Sequence, residues 1–184
     1  MNEKAEEIIQ VGLLYFCGAW SDNWLVTWSL GYAFGAHHKQ FRKNSDIPYI
    51  VHPLQVAKFL SYDTQDPVMM SAALLHDTVE DCGANVDNFP NKELQSLVKL
   101  LTNEGECKRS SIKKIRDSTK ALHIKMADRL ANLTDDLTDY HETYLNKDSV
   151  RESTGDLLGY STGTQLRETK VFTDLFNYTK EIWK

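Results

Sequence analysis

Ala72-Ala73-Leu74-Leu75-His76-Asp77-Thr78-Val79-Glu80-Asp81 is the stretch on which the reading of this chain turns. An apolar run ends in one histidine and three carboxylates within six positions. In a helix, His76 and Glu80 stand four residues apart, as do Asp77 and Asp81, and residues at that spacing share a face. Such a helix end is costly inside a core and well suited to a hydrated divalent cation. Taken alone, the His-Asp pair reads first as a helix C-terminus whose acids are solvated. The rest of the chain reverses that preference.

Working outward, Asp66-Pro67 is a helix start signal for this run, and Cys82-Gly83-Ala84-Asn85 ends it. His52-Pro53 opens an earlier helix with Leu54, Val56, Ala57, Phe59 and Leu60 on its apolar side. Arg42 to Tyr49 is a polar turn containing Pro48. Before it, Ser21-Asp22 serves as an N-cap for a helix carrying Trp24, Leu25, Trp28 and Tyr32 toward His37. Trp24 and Trp28, four residues apart, are expected in the core. Ala5, Ile8, Ile9, Leu13 and Phe16 mark an opening helix.

Downstream, a helix is expected over Lys92 to Leu101 and a loop over Thr102 to Ser111. A long helix is expected from about Ser118 to Asp139, with Met126, Leu130, Leu133 and Leu137 as its apolar stripe. Asp128, Asn132 and Asp135 fall on the opposite side, so periodicity alone turns Asp128 to solvent. Asn146 to Gly163 reads as a partly ordered connection, and a last helix runs from about Thr164 to Trp183. Sustained period-two alternation is missing. The expectation is an all-α helical bundle, a single domain over residues 1–184 with a motif-bearing core at about 22–140.

A chain of 184 residues can bury a real core, and its net charge of -5 argues against nonspecific nucleic-acid or anionic-membrane binding. The acidic start, Met1 to Glu7, does not resemble a secretory signal, and no apolar run reaches membrane-spanning length. Cys17, Cys82 and Cys107 are odd in number and lack Cys-x-x-Cys spacing, so reduced thiols are expected rather than disulfides or structural zinc. Between Lys108 and Lys125 seven basic residues face the single acid Asp117. That segment is either a solvated face or an attractor for a small, highly charged anion.

In chain order the chemistry-bearing residues are His37, His76-Asp77 and Asp128. Two imidazoles and two carboxylates suit Mn²⁺, with Fe²⁺ and Zn²⁺ as alternatives. A His-Asp pair with a histidine before and an aspartate after resembles the HD superfamily of metal-dependent phosphohydrolases. Three longer stretches narrow this. Ala36 to Lys43 with Pro48 to Ala57, Ala73 to Asp81, and Ile124 to Leu133 are similar to successive signatures of the (p)ppGpp hydrolase domain of the RelA/SpoT homologues. The chain resembles a stand-alone small alarmone hydrolase.

That resemblance implies His37, His76, Asp77 and Asp128 as metal ligands. His37 is preferred to His38 because it lies three residues before Gln40, and His52 is read as a helix brace. Glu80 and Asp81 match the catalytic acid pair, which would orient the attacking water and move protons. Arg42, Lys43 and Asn132 would contact the substrate, and Arg129 would pair with a nearby acid. The implied reaction releases pyrophosphate from the 3′ position of ppGpp or pppGpp, in the cytoplasm, on a small nucleotide substrate, without nucleic acid or membrane. Two alternatives stand beside it: the same chemistry on another nucleotide phosphate, and a catalytically idle module that binds an alarmone or a protein.

Overall fold

Asp66 and Pro67 start the central helix as their types require. The Asp66 carboxylate accepts from Val68 N at 2.8 Å and Met69 N at 3.3 Å, and Pro67 occupies the first turn, where its missing N–H costs nothing. The helix that follows is buried from Val68 to Leu75, apolar on every side as a helix with neighbours all round must be. This computed structural model describes residues 3–138 and 140–183.

The helices run in chain order α1 (Glu3–Ala19), α2 (Trp24–Ala36), α3 (Val51–Ser61), α4 (Pro67–Leu75), α5 (Thr78–Cys82), α6 (Lys92–Leu101), α7 (Lys108–Ile115), α8 (Thr119–Leu133), α9 (Tyr140–Leu145), α10 (Asp148–Thr162) and α11 (Lys170–Ile182). Short 3-10 turns lie at Val86–Asn88 and Gln165–Glu168. Around α4 pack α2, α3, α6 and α8; α1 covers α3, α10 bridges α7 and α8, and α11 lies on α8. Leu74, Leu75, Leu94, Leu122, Ile124 and Met70 are fully buried in the shared core. Each such side chain contributes about 1.5–3 kcal/mol by leaving water. Among the described residues no strand forms. An isolated antiparallel bridge joins Phe41 to Pro48 across the loop between α2 and α3. No helix among them is long and apolar enough to cross a membrane.

Several boundaries differ from the expectations. The apolar run does not continue as one helix through Asp81. Thr78 Oγ1 donates to Leu75 O at 2.8 Å, taking a carbonyl that a continuing helix would use, and Asp77 sits at φ -98°, ψ -7°. The chain restarts as α5 and stops at Gly83, whose φ of +67° is the left-handed cap that glycine adopts without strain. The N-cap of α2 is Asn23, not Ser21-Asp22. Trp28 packs against Tyr32 and Phe89, but Trp24, the first residue of α2, is 62% exposed. Helix α7 begins at Lys108, inside the expected loop. Helix α8 ends at Leu133, where Thr134 Oγ1 takes the Leu130 carbonyl at 2.8 Å. The expected end at Asp139 falls outside the described residues. The Ser/Thr/Gly-rich segment after Asn146 is helix α10, and the last helix starts only at Lys170, after the 3-10 turn.

Long-range polar contacts explain two of these. Arg129, on α8, donates to Val150 O at 2.9 Å, Ser153 Oγ at 3.0 Å and Thr154 Oγ1, so α10 is pinned through its hydroxyls rather than by propensity. Arg129 thus bonds to carbonyl and hydroxyl oxygens, where a nearby acid was expected. Asp63, at the end of α3, accepts from Lys170 N at 2.7 Å and Val171 N at 2.9 Å and so caps α11 from 107 positions away.

Asp66 also receives Lys120 Nζ at 2.6 Å. Burial pushes its carboxyl up, but hydrogen bonds from Lys120, Met69 N and Val68 N outweigh this and hold it below the ordinary 3.8. The unfolded chain therefore binds the proton more readily, so this stabilisation is present above pH 3.8 and is lost as the pH falls below it. Asp66→Ala is expected to lower stability by about 1–2 kcal/mol at pH 7, the usual worth of an N-cap. The difference from wild type should shrink in urea melts carried to pH 3.

Candidate metal centre and cleft

Four side chains from three places in the chain converge. His52 comes from the first turn of α3, His76 and Asp77 from the break between α4 and α5, and Asp128 from the middle of α8. His52 Nε2 lies 3.2 Å from Asp128 Oδ1 and 3.6 Å from Asp77 Oδ2. His76 Nε2 lies 3.0 Å from Asp77 Oδ2 and 3.8 Å from Asp128 Oδ1. Neighbouring ligands on an octahedral ion with bonds of 2.0–2.1 Å are about 3 Å apart, so these spacings suit one divalent cation.

The histidine chemistry fits as well. His76 Nδ1 faces Ala73 O at 2.8 Å, which makes Nδ1 a protonated nitrogen and turns Nε2 toward the carboxylates. His76 Nε2 is buried and makes no hydrogen bond among the described residues, although Asp77 is close. Burial pulls the His76 pKa down, but Asp77 and Asp128 outweigh it and raise it to about 9, so a cation bound at Nε2 would take the place of a proton there. Burial pushes both carboxyls up, yet His76 beside Asp77 and Lys125 beside Asp128 hold them low, so the donor set is anionic.

Surrounding groups fix these candidate ligands in place. Tyr49 Oη donates to Asp77 Oδ2 at 2.6 Å, and burial together with Asp77 drives its phenol far above the usual value, keeping it a donor. Asn132 Nδ2 donates to Asp128 Oδ1 at 2.6 Å, and Lys125 Nζ meets Asp128 Oδ2 at 2.7 Å. Asp128 is 6% exposed, contrary to the α8 periodicity and in keeping with the family resemblance. Small Ala127 and Ala131 beside it let α3 approach, so the polar side of α8 faces a second layer instead of water.

The histidine assignment needs correction. His52, read from sequence as a helix brace, stands in the cluster, and His37 does not. His37 is buried, but its ring stacks on Tyr49 at 4.8 Å and its Nδ1 faces Gln40 Oε1 at 2.5 Å. Tyr49 also meets His52 edge-on, so it stands between His37 and the cluster. The helix starts at Val51 and not at Pro53, which puts His52 in its first turn, buried among Val51, Pro53 and Leu54. Sequence spacing alone could not rank it above His37. His38, as expected, turns away, to Gly35 O.

Beside the four converging side chains opens a cleft of about 220 Å³ lined by Glu80, Asp81, Asn103, Lys108, Lys125, Arg129 and Asn132, among others. Glu80 Oε2 accepts from Asn103 N at 3.0 Å, while burial and the neighbouring Asp77 and Asp81 push its carboxyl above the ordinary value. A second chamber of about 150 Å³ continues the cleft past Tyr49, Lys108, Asn132 and Tyr144 to Arg42, Lys43, His141 and Lys147. Arg42 is held there by Asp135, through Nη2 at 2.6 Å and Nε at 3.1 Å, and by Asn132 Oδ1 at 3.2 Å. The basic segment divides accordingly. Lys108 and Lys125 face the cleft, whereas Arg109, Lys114, Arg116 and Lys120 pair with acids outside it.

The HD-domain family matches residues 29–153. The guanosine-3′,5′-bis(diphosphate) 3′-pyrophosphohydrolase MESH1 of Xenopus tropicalis is 33% identical over 127 residues, covering 62% of this chain and 71% of that protein. The human protein of the same name is 34% identical over 116 residues, covering 56% and 65%. The GTP pyrophosphokinase rsh of Brucella melitensis is 34% identical over 117 residues, 55% of this chain but 16% of that longer protein. Among solved structures, one described as a metazoan ortholog of SpoT that hydrolyses ppGpp aligns with a TM-score of 0.69 and 26% identity, over 86% of this chain and 96% of that one. HD domains are metal-dependent, and the four-residue cluster lies inside the matched segment. This chain belongs to the HD-domain family, on the side of it that includes the MESH1 pyrophosphohydrolases.

Proposed function

We propose that this chain is a metal-dependent hydrolase that removes the 3′-pyrophosphate of ppGpp and pppGpp, yielding GDP or GTP and pyrophosphate, with Mn²⁺ as its metal. The observation that carries the reading is the placement of a cation-binding cluster beside a basic chamber. The first holds His52, His76, Asp77 and Asp128 with Glu80 and Asp81, where a bound cation would draw a phosphate; the other holds Arg42, Lys43 and Lys147. A nucleotide bearing phosphates at both its 3′ and 5′ positions has two anionic ends to fill them. The similarity to MESH1 proteins of that named activity supports the same substrate.

A divalent cation at the four ligands would supply the Lewis acidity that lowers the pKa of water and screens phosphate charge. The chain's own residues do the rest. Glu80, its affinity for protons raised, suits the removal of a proton from the attacking water and its return to the departing 3′-oxygen. Lys108, Lys125 and Arg129 offset the charge that collects on the phosphate oxygens. Arg42 and Lys43 hold the second phosphate group, and Asn132 links the two spaces through Asp128 and Arg42. The reading puts the protein in the cytoplasm, with its nucleotide.

Incubation with ppGpp and Mn²⁺ is expected to yield GDP and pyrophosphate in equal amounts. Asp77→Ala is expected to abolish the reaction. Absence of turnover by metal-loaded protein, or turnover indifferent to Asp77→Ala, would sink the proposal. Faster turnover of a nucleotide without a 3′-pyrophosphate would retain the chemistry and replace the substrate.

A further inference from the structure

His37 and Gln40 are absorbed by neither the ligand set nor the cleft lining, yet they form a continuous polar chain to the acid pair. His37 Nδ1 lies 2.5 Å from Gln40 Oε1, and Gln40 Nε2 donates to Asp81 Oδ2 at 2.8 Å. Cys82 closes the group, its Sγ 3.2 Å from His37 Nδ1 and 3.5 Å from Gln40 Oε1. The donor pattern is forced by chemistry. A carboxylate at Asp81 accepts only, so the NH₂ end of Gln40 must face it. The carbonyl end then faces His37, which must carry its proton on Nδ1. The bare Nε2 of His37 is buried and has no hydrogen-bond partner among the described residues, as this tautomer allows. Stacking on Tyr49 fixes the plane of the ring, and Tyr49 itself holds Asp77.

We infer that His37 and Gln40 are positioning residues, which aim the Asp81 carboxylate by passing one fixed hydrogen-bond direction from the buried ring, through the amide, to Oδ2. Asp81 sits on the exposed last turn of the short helix α5, at the mouth of the cleft. Five residues of helix give a side chain little restraint, so its rotamer needs a partner from elsewhere. Gln40 supplies that partner from the loop between α2 and α3. The inference rests on the reading of Asp81 as one of the catalytic acids. It also explains why His37 is buried and oriented although it is not a ligand.

The test is steady-state hydrolysis of ppGpp with Mn²⁺, alongside metal analysis and thermal melts. Gln40 is half-buried in a loop, so Gln40→Ala should fold normally. It is expected to lower kcat by about 10–100-fold, the usual cost of an outer-shell partner, with KM and bound Mn²⁺ unchanged. In an Asp81→Ala background the same change should cost nothing more, because the chain acts only through Asp81. His37→Leu should resemble Gln40→Ala, and His37→Asn, which keeps an N–H near the place of Nδ1–H, should recover most of the kcat. Unchanged kcat in Gln40→Ala, an equal further loss in the Asp81→Ala background, or loss of metal in His37→Asn would each overturn the inference. If Asp81→Ala alone retains full kcat, the assignment of Asp81 fails and takes the inference with it. An impaired Asp81→Ala with an indifferent Gln40→Ala disproves the relay alone.

Discussion

Replacing His52 by alanine is expected to empty the metal site and lower alarmone hydrolysis by about a thousandfold, whereas His37→Asn leaves the metal bound. The metal's electrostatic contribution to a phosphoryl transition state is several kcal/mol, and each 1.36 kcal/mol is a factor of ten in rate, so about 4 kcal/mol gives that loss. His52 is placed to ligate. Burial and Arg42 push its imidazole pKa down, against the pull of Asp128 and Asp77, so it is neutral at pH 7. Its Nε2 lies within 3.6 Å of both carboxylates. Removing it leaves Asp128 without one neighbour and only three of the four donors to hold a cation. Metal analysis of the purified variants decides the matter. Full metal occupancy in His52→Ala together with loss in His37→Asn would restore His37 to the ligand set.

Arg42→Ala is expected to lower stability by about 3 kcal/mol and to raise KM for ppGpp. Breaking a buried ion pair from one side costs about 3–5 kcal/mol because the other charge stays buried, and the partial exposure of this pair puts it at the low end. The Asp135 side chain is 5% exposed and the Arg42 side chain 14%. Without Arg42, Asp135 keeps a hydrogen bond from Leu137 N at 3.1 Å and loses the guanidinium fork. Arg42→Lys retains the charge without the fork and should fall between wild type and Arg42→Ala. The double variant Arg42→Ala/Asp135→Ala separates the two roles of the arginine. Removing the orphaned acid should recover most of the stability, as read in urea melts, but leave KM high, since the phosphate contact is still gone. Recovery of KM as well would show that Arg42 serves the site only by restraining Asp135.

Both experiments probe places where local sequence and tertiary structure carry different information. The helices α4 and α6 follow from the sequence: Asp66-Pro67 caps the unbroken apolar run of α4, and Leu94, Leu97, Val98 and Leu101 mark one face of α6. Helix α10 was not legible, because its Ser153, Thr154 and Ser161 resemble a polar connection until Arg129 donates to the first two hydroxyl oxygens and the carbonyls one turn back accept from Thr154 and Ser161. The same limit hid the cap that Asp63 places on α11. A polar residue's partner decides its conformation, and these partners are distant in the chain.

The sequence by itself determined the all-helical class, the family and three of the four converging side chains: His76-Asp77 as an adjacent pair and Asp128 through its surrounding stretch. It also determined that Glu80 and Asp81 lie within one turn of that pair. Tertiary structure alone decided that the fourth side chain is His52 and not His37. A ligand is defined by where its lone pair points, and that depends on how α3 crosses α8. It decided too that the central run breaks between Leu75 and Thr78. Because the backbone turns there, His76 and Asp77 can both aim at one point, which neighbouring residues on an unbroken helix, about 100° apart, would not do.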